Sequence, residues 1–520
     1  MLTAVVLLVS IASTIYWYLW WNRDYWKRRG ITGPQPAFFY GNAKSVFQWK
    51  HPALLQIKEW GKEYGKVFGY TEGLFKILVI SDIDMLQELF VKQFDNFYGR
   101  RLQPFAGNVD NDKNVNVFSA RGARWKRLRA ISSPSFSTSS LKKIRPLLEE
   151  CAIHMVNLME TKHQNGMPFN IHQYFMEYTM DTISRLVMGE KKCRQFENDN
   201  TDLAKRIFNQ EKDNILLYAT VGLPGFRVIG RLIARFSDSL LLPAVKLHGR
   251  MESAVRNRVE KRAMLESSSE PEDEETTASD DFIDLFLDSS ADFDFANHGP
   301  FSNSEGVSKQ MTVDEVITNC FLFILAGFDT TSNALGFTSW MLAKYPDVQQ
   351  KVFEEIEENC LDESVSYDDL TKLKYTEAVL KETLRFYPLG GQAASRTCME
   401  PTTLGGIPIE KNTLVVANSY AVHFDKNIYG EDADEFKPER WLDSSRRVPP
   451  VAFLAFGGGP RICIGMRLAV MEEKIALVHL LRKFRLEKDE KMNDLTLVGT
   501  FTLSPVSVSV VLRPRTTGEN

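Results

Sequence analysis

The apolar positions along this chain change period several times, and each change marks an element. Leu2 to Trp21 contains no charged residue and is rich in Val, Leu, Ile, Trp and Tyr. As a helix this run rises roughly 30 Å, the thickness of a hydrocarbon core. Val67 to Ile80 predicts two short strands of β-branched and aromatic residues about a Thr71-Glu72-Gly73 turn. From Ala120 to Met264 the pattern is mainly helical, with Pro134, Pro146, Pro224 and Pro243 as punctuation. Residues 265–308 differ: Ser, Glu and Asp dominate from Glu266 to Asp281, and Asn and Gly mark 297–306. That composition buries too little apolar surface to order fully, so a solvated loop is expected, with one short helix over Asp281 to Leu287.

Helix resumes at Thr312, which forms a capping-box pair with Glu315. The run to Lys344 is apolar on most faces and predicts a long helix in the protein centre, closed by Pro346. Strand patterns return at Thr402 to Ile409 and Thr413 to Asn418, with a final pair within Leu495 to Val511. The expected class is mainly α with small β-sheets at the edges. No repeat or linker divides the chain after its first residues. The expected organisation is an anchor over 1–22, a basic, proline-containing hinge over 23–36, and one domain over 37–515 that carries the 265–308 insertion.

Composition narrows the function. A hydrophobic fraction of 44% and a charged fraction of 25% over 520 residues suit a globular protein with a large core. The formal net charge of −4 argues against a general nucleic-acid binder. Six cysteines (151, 193, 320, 360, 398 and 463) are scattered without a C-x-x-C pair, which fits a reducing compartment rather than a disulfide framework or zinc site. Tyr16, Trp17, Tyr18, Trp20 and Trp21 gather where the apolar run ends, and Arg23, Lys27, Arg28 and Arg29 follow. Aromatic rings settle at membrane interfaces and basic flanks stay cytoplasmic. A cleaved signal peptide competes with this reading, but there is no basic stretch before the run and no small-x-small cleavage site. An uncleaved anchor is expected, with Met1 lumenal, and Gly33-Pro34-Gln35-Pro36 stiffening the exit from the membrane.

The chemistry concentrates at Phe456-Gly-Gly-Gly-Pro-Arg461-Ile-Cys463-Ile-Gly465. Its glycines permit positive φ and close approach to a flat ligand. An apolar helical run begins at Met466, and a thiolate at a helix start is favoured by the dipole and unpaired N–H groups. Arg461 can set a permanent cation beside an anionic group. A buried structural cysteine after a glycine-rich turn would explain Cys463 alone, but not the whole ten-residue pattern. That pattern, F-x-x-G-x-R-x-C-x-G, resembles the cysteine loop of the cytochrome P-450 family, in which a cysteine thiolate holds haem iron.

Further motifs carry the same resemblance. Ala326-Gly327-Phe328-Asp329-Thr330-Thr331 places a costly mid-helix glycine before an acid and two hydroxyls. On residue chemistry, Gly327 gives room, Thr330 can back-bond and loosen the helix, and Asp329 can exchange protons. A packing glycine on a polar helix face is the plainer alternative. The hexapeptide resembles the family's A/G-G-x-D/E-T motif, whose acid–alcohol pair delivers protons for dioxygen cleavage. Glu382-Thr-Leu-Arg385 and Pro438-Glu-Arg440-Trp441 are similar to the family's E-x-x-R and P-E-R-F segments, with Trp in place of Phe. The resemblance makes Glu382, Arg385 and Arg440 a buried structural network. Trp125-Lys-Arg-Leu-Arg129 resembles the W-x-x-x-R helix that binds a haem propionate, with Arg396 and Arg461 as further candidates and His423 in an H-x-D segment.

The likeness spans roughly residues 33–510 and is closest to animal microsomal steroid- and drug-oxidising enzymes. It implies the cytochrome P-450 fold behind a transmembrane helix, haem b (iron protoporphyrin IX) on Cys463, and Asp329 and Thr330 as catalytic residues. Trp125, Arg129, Arg396, Phe456, Arg461 and Gly465 would contact the cofactor. Electrons would come from NADPH through a separate cytochrome P-450 reductase, with cytochrome b5 as an additional partner, at the endoplasmic reticulum membrane. The reaction would be oxygen insertion from O2 into a lipophilic sterol, fatty acid or xenobiotic. A haem-thiolate isomerase or dehydratase and a non-catalytic haem-binding protein stay open as alternatives. The 100–120 loop, the helices from Phe208 to Leu242, Leu325, Ala326, the 391–394 turn and the 499–503 loop would line the pocket, and Lys126, Arg127 and Arg467 would offer a basic docking face to the reductase.

Overall fold

The protein is described by a computed structural model covering residues 2–101, 109–110, 112–163, 166–208, 238–267, 281–289, 310–391, 393–445 and 447–515. Most of the 208–242 and 265–308 segments singled out in the sequence therefore lie outside the described residues. Helices dominate, and among the described residues the strands form four small sheets.

The capping-box helix runs unbroken from Val313 to Lys344 through the centre. Glu315 N–H donates to Thr312 Oγ1 at 3.2 Å and Thr312 N–H to Glu315 Oε2 at 3.1 Å, so both arms of the box are made. Its C-terminal half is buried on all sides, including Trp340, Phe337 and Leu335. Its broadest packing is against the helix His172–Met188. The helix Met466–Lys483 starts where the apolar run after Cys463 begins and packs against both the central helix and Thr138–Lys162.

The predicted hairpin is present as Val67–Glu72 paired antiparallel with Phe75–Ile80, in register Val67 to Ile80, with Gly73 at φ 58°. Phe75–Ile80 continues in parallel to Leu414–Ala417, which pairs antiparallel with Ser395–Thr397. The single strand expected over Thr402 to Ile409 is instead two three-residue strands. Gly405 and Gly406, at φ 55° and 79°, reverse the chain between them. Phe484–Lys488, a strand the sequence pattern did not single out, pairs antiparallel with Ser509–Pro514.

The acidic insertion also departs from a wholly solvated loop. Phe282–Asp288 is helical, as the pattern allowed, and Phe282 and Phe286 pack against Phe323 of the central helix. Arg258 and Arg262 pair with Asp281, Asp284 and Asp288, so part of the acidic charge is neutralised on the protein.

Leu2–Arg23 is one helix whose apolar side chains, the buried Leu19 apart, stand largely exposed, from Leu2 at 79% to Trp21 at 46%. Exposure on this scale is compatible with a membrane anchor. The following segment is docked rather than a free tether. Tyr25 and Trp26 are buried against the first sheet, Trp26 Nε1 donates to the Tyr70 carbonyl at 2.9 Å, and Arg29 pairs with Glu410. Gly69 is required there, since a Cβ would stand 2.3 Å from the Trp26 ring.

Removal of residues 1–22 is expected to release the protein from carbonate-resistant membranes while leaving its thermal midpoint unchanged. Removal of 1–29 takes Trp26 from the core as well and should cost about 3–5 kcal/mol. Extraction and calorimetry of the two truncations check this. Equal stability of the two would show that Trp26 contributes nothing.

Candidate active site

Cys463 sits between two features of its loop. Its N–H donates to the Phe456 carbonyl at 2.9 Å, closing the loop into a tight bend. Gly457 and Gly459 hold φ 77° and 64°, and a Cβ on Gly459 would meet the Phe90 carbonyl at 2.0 Å. No other residue fits at 459. Cys463 is accessible, but the sulfur opens onto an internal chamber rather than the outer surface. Burial raises the thiol, while the N–H groups of Gly465 and Met466 and the cations Arg129 and Arg100 act in the opposite direction. The helix-start geometry read from the sequence is thus present.

The chamber offers about 1360 Å³ of empty space, counting its mouth, and its wall is mostly apolar. Phe456, Phe136, Phe323, Ile183 and Leu468 contribute, with Ala326, Gly327 and Thr330 from the central helix opposite the cysteine loop. The expected lining at 391–394 is represented by Ala393, and Leu325 is absent from the wall. Residues 499–503 border a separate hollow with Leu54, Tyr70 and Gly391.

Four arginines surround the cysteine loop. Arg396 Nη2 donates to Gly458 O at 2.6 Å, Arg100 Nη2 to Arg461 O at 2.9 Å and Arg129 Nη1 to Ile462 O at 2.8 Å. Arg461 Nη2 donates to Ala120 O at 2.6 Å, and its guanidinium stacks 4.4 Å from the centre of the Trp125 ring. Arg100, Arg396 and Arg461 are buried, and the Nε of each has no acceptor. Among the described residues none of the four pairs with a carboxylate. Burial and then mutual repulsion weaken the hold of Arg396 and Arg461 on their protons, and Arg100 is lowered to about 10, mainly by burial. Buried cations without anions are costly. An anionic ligand is what this cluster lacks.

Trp125, Arg129, Arg396, Phe456, Arg461, Cys463 and Gly465 are therefore brought to one place. Arg100 belongs with them and was missed, because no motif marks it in Tyr98-Gly-Arg-Arg. Two buried acids on the chamber wall, Glu472 and Glu473, were missed as well. Burial, and then the neighbouring Glu473 charge, push Glu472 well up, and burial pushes Glu473 to about 8.

The acid–alcohol pair is arranged differently from the expectation. Thr330 Oγ1 donates to Ala326 O at 2.6 Å, yet the helix continues without a break. Gly327 is chiefly a packing glycine, since a Cβ would come within 2.9 Å of Ile183. Asp329 does not line the chamber; Asn333 Nδ2 donates to its Oδ2 at 3.1 Å, and so does the Thr502 hydroxyl. Burial raises its carboxyl to about 6 against those hydrogen bonds.

Glu382 lies behind the loop, fully buried with Arg385 and Arg440. Its Oε1 accepts from Arg385, Arg440 and the Lys437 N–H, and its Oε2 from Arg385 Nε and Trp441 Nε1 at 2.9 Å each. The Trp in place of Phe adds a hydrogen bond. His423 faces this network, not an anion site: its Nδ1–H donates to Arg385 O at 3.0 Å and its Nε2 accepts from Leu454 N–H at 2.9 Å. Burial lowers its pKa to about 3, so the ring is neutral. Arg127 is likewise no docking cation. It is buried and paired with Glu315 at 2.5 Å, holding the start of the central helix.

A cytochrome P-450 family model matches residues 31–511 of the chain. The chain belongs to the cytochrome P-450 family. Three Caenorhabditis elegans relatives, all named provisionally, show the extent of the similarity. Cytochrome P-450 cyp-13B1 is 42% identical over 98% of this chain and 99% of its own length. Cytochrome P-450 CYP13A10 is 41% identical over 96% and 97%, and CYP13A3 is 40% identical over 98% and 99%. The mainly helical architecture with small sheets is the cytochrome P-450 fold, with an apolar helix before it. Family membership implies haem, and the residues present fit that group: a cysteine sulfur opens onto an apolar chamber beside orphaned guanidinium N–H groups.

Trp441→Phe should lower unfolding free energy by about 1.5–3 kcal/mol through loss of one donor to a buried carboxylate. Glu382→Gln strands two buried guanidiniums and should cost about 3–5 kcal/mol, with haem uptake lost. Denaturant titration and absorbance spectra measure both effects. Full stability in Trp441→Phe would remove the indole bond from the network.

Proposed function

We propose that this cytochrome P-450 is a membrane-anchored monooxygenase inserting one oxygen atom from O2 into a lipophilic substrate. The carrying observation is one chamber in which a cysteine sulfur, an apolar wall and uncompensated arginines face a common space. Cys463 would hold the iron of haem b. Arg100, Arg129, Arg396 and Arg461 would supply the cations for its two propionates. Once bound, haem provides the oxidising chemistry, with electrons from NADPH through a separate reductase and cytochrome b5 as an additional donor.

The protein's own part is orientation and proton control. Its apolar wall excludes water and favours a sterol, fatty acid or xenobiotic over a charged substrate. Thr330 presents a hydroxyl to the chamber, and Asp329, one residue earlier, carries a carboxyl raised to about 6, closer to neutrality than an exposed one. Thr502, partly exposed, connects that carboxyl toward solvent. An endoplasmic reticulum location with the catalytic domain cytosolic belongs to the same proposal, on the strength of the exposed apolar helix and its basic flank.

Cys463→Ser should lose the red-shifted Soret band of the reduced carbon-monoxide complex, because an alcohol does not replace thiolate donation. An unchanged spectrum would sink the proposal.

Thr330→Ala should uncouple turnover: nicotinamide oxidation continues while hydrogen peroxide replaces product. The pH profile tests Asp329 separately. Its carboxyl is protonated below about 6 and ionised above, so product formed per NADPH should decline as pH rises through that value. Asp329→Asn should show a lower yield without that limb. Retention of the same limb in the variant would assign it to another group.

A further inference from the structure

Away from the chamber, two cysteines that the haem site does not use stand side by side. Cys151, on the helix Thr138–Lys162, is fully buried, and Cys193 is half-buried in the segment after the helix His172–Met188. Their sulfurs are 3.7 Å apart. Arg185 Nη1 lies 3.4 Å from Cys151 Sγ and 3.2 Å from Cys193 Sγ, while its Nη2 pairs with Glu150 at 2.9 Å. The hydrogen bond from Cys193 and burial push the Cys151 thiol well up, with the Arg185 cation acting against them, so Cys151 is the less reactive sulfur of the two.

A carboxylate oxygen of Asp181 lies within 4.8 Å of both sulfurs, which raises the question of a metal. The geometry argues against one. Asp181 Oδ1 accepts from Arg194 N–H at 2.8 Å and Oδ2 from Gln195 Nε2 at 3.4 Å. The guanidinium already holds a positive charge against both sulfurs and would repel a metal cation there.

We infer that Cys193 and Cys151 form a peroxide-reactive dithiol that closes to a disulfide. Cys193, the more accessible sulfur, attacks one oxygen of hydrogen peroxide as a thiolate. The O–O bond breaks, Cys193 becomes a sulfenic acid, and the departing hydroxide takes up the thiol's proton to leave as water. Cys151 then attacks the Cys193 sulfur, the S–S bond forms and a second water leaves with the remaining proton. Two thiols lose two electrons, and one peroxide becomes two waters. Disulfide bonding needs a sulfur separation of about 2.0 Å. The movement falls on the segment carrying Cys193, since Cys151 is fixed within a long helix. In a reducing compartment the bond would be transient, as oxidative modifications there are. It would shield Cys193 from the irreversible sulfinic and sulfonic states.

The test uses the purified, haem-loaded full chain in detergent, treated with hydrogen peroxide, blocked with iodoacetamide and mapped by mass spectrometry. A Cys151–Cys193 cross-linked peptide is expected as the main thiol product, reversed by dithiothreitol. In Cys151→Ser the cross-link is lost and sulfenic acid accumulates on Cys193, trapped by dimedone. In Cys193→Ser, Cys151 stays reduced under the same treatment. Sulfinic or sulfonic acid on wild-type Cys193 with Cys151 free would overturn the inference. Stoichiometric zinc retained by the purified protein, and lost in either variant, would overturn it in favour of a metal site.

Discussion

The fully buried carboxylate of Glu382 is the constraint on which the cysteine loop depends. Removing a carboxylate from water costs several kcal/mol, and the charge survives only if every lone pair is met. Here five donors converge on two oxygens, from Arg385, Arg440, Lys437 and Trp441. Each guanidinium then spends its remaining N–H groups on carbonyls: Arg385 on His423, Ala433 and Glu435, Arg440 on Tyr429 and Asp432. The irregular chain from 423 to 441 has little regular structure of its own, so these bonds are its scaffold. His423 passes the constraint onward, joining Arg385 O to the Leu454 N–H only two residues before Phe456. Charge burial behind the loop fixes where the sulfur points.

The arginines on the other side of that loop present the opposite case. Arg385 and Arg440 have a partner for every nitrogen, whereas Arg100, Arg396 and Arg461 each retain an orphaned Nε and no carboxylate. Both groups are buried to a similar degree. One set closes a structural network, and the other remains open to a ligand. Folding tolerates the open set because backbone carbonyls, among them those of Gly458 and Arg461, take several of its N–H groups. Those same bonds brace the cysteine loop, so filling the chamber with an anion would relieve repulsion without dismantling the support.

The sequence discloses those parts where a residue type has few alternative uses. A glycine run ahead of a cysteine, a Thr–Glu box and a bilayer-length uncharged stretch each answer a specific backbone or solvent demand, and each is present in the fold. Gly405-Gly406 carried the same kind of signal, and reading Thr402 to Ile409 as one strand overlooked it. Arginines were harder. Arg100, Arg127 and Arg129 share one chemistry, yet one supports the cysteine loop from a distant segment, one pins Glu315 and one borders the chamber. Spacing along a helix cannot separate these roles, since the partners come from residues some 180 to 360 positions away. The same holds for Thr502, whose bond to Asp329 joins segments 173 residues apart.

That last bond changes how the acid–alcohol pair can work. Consecutive residues on a helix point about 100° apart, so Asp329 and Thr330 cannot both face one ligand. Thr330 takes the chamber side and back-bonds to Ala326, while Asp329 turns to Asn333 and the C-terminal loop. The helix is continuous between them. Under the proposed reaction, a proton passing from Asp329 to the Thr330 hydroxyl would have to travel around the helix, over water or over a side chain that moves. Thr502 is the partly exposed neighbour at the Asp329 end of such a path. Its hydroxyl holds the carboxyl in place, and it sits on a loop that also borders the neighbouring hollow with Leu389, a residue shared with the chamber wall. A shift of this loop would break the Thr502 hydrogen bond, which favours the ionised carboxylate against the effect of burial, and so would raise the acid's affinity for its proton.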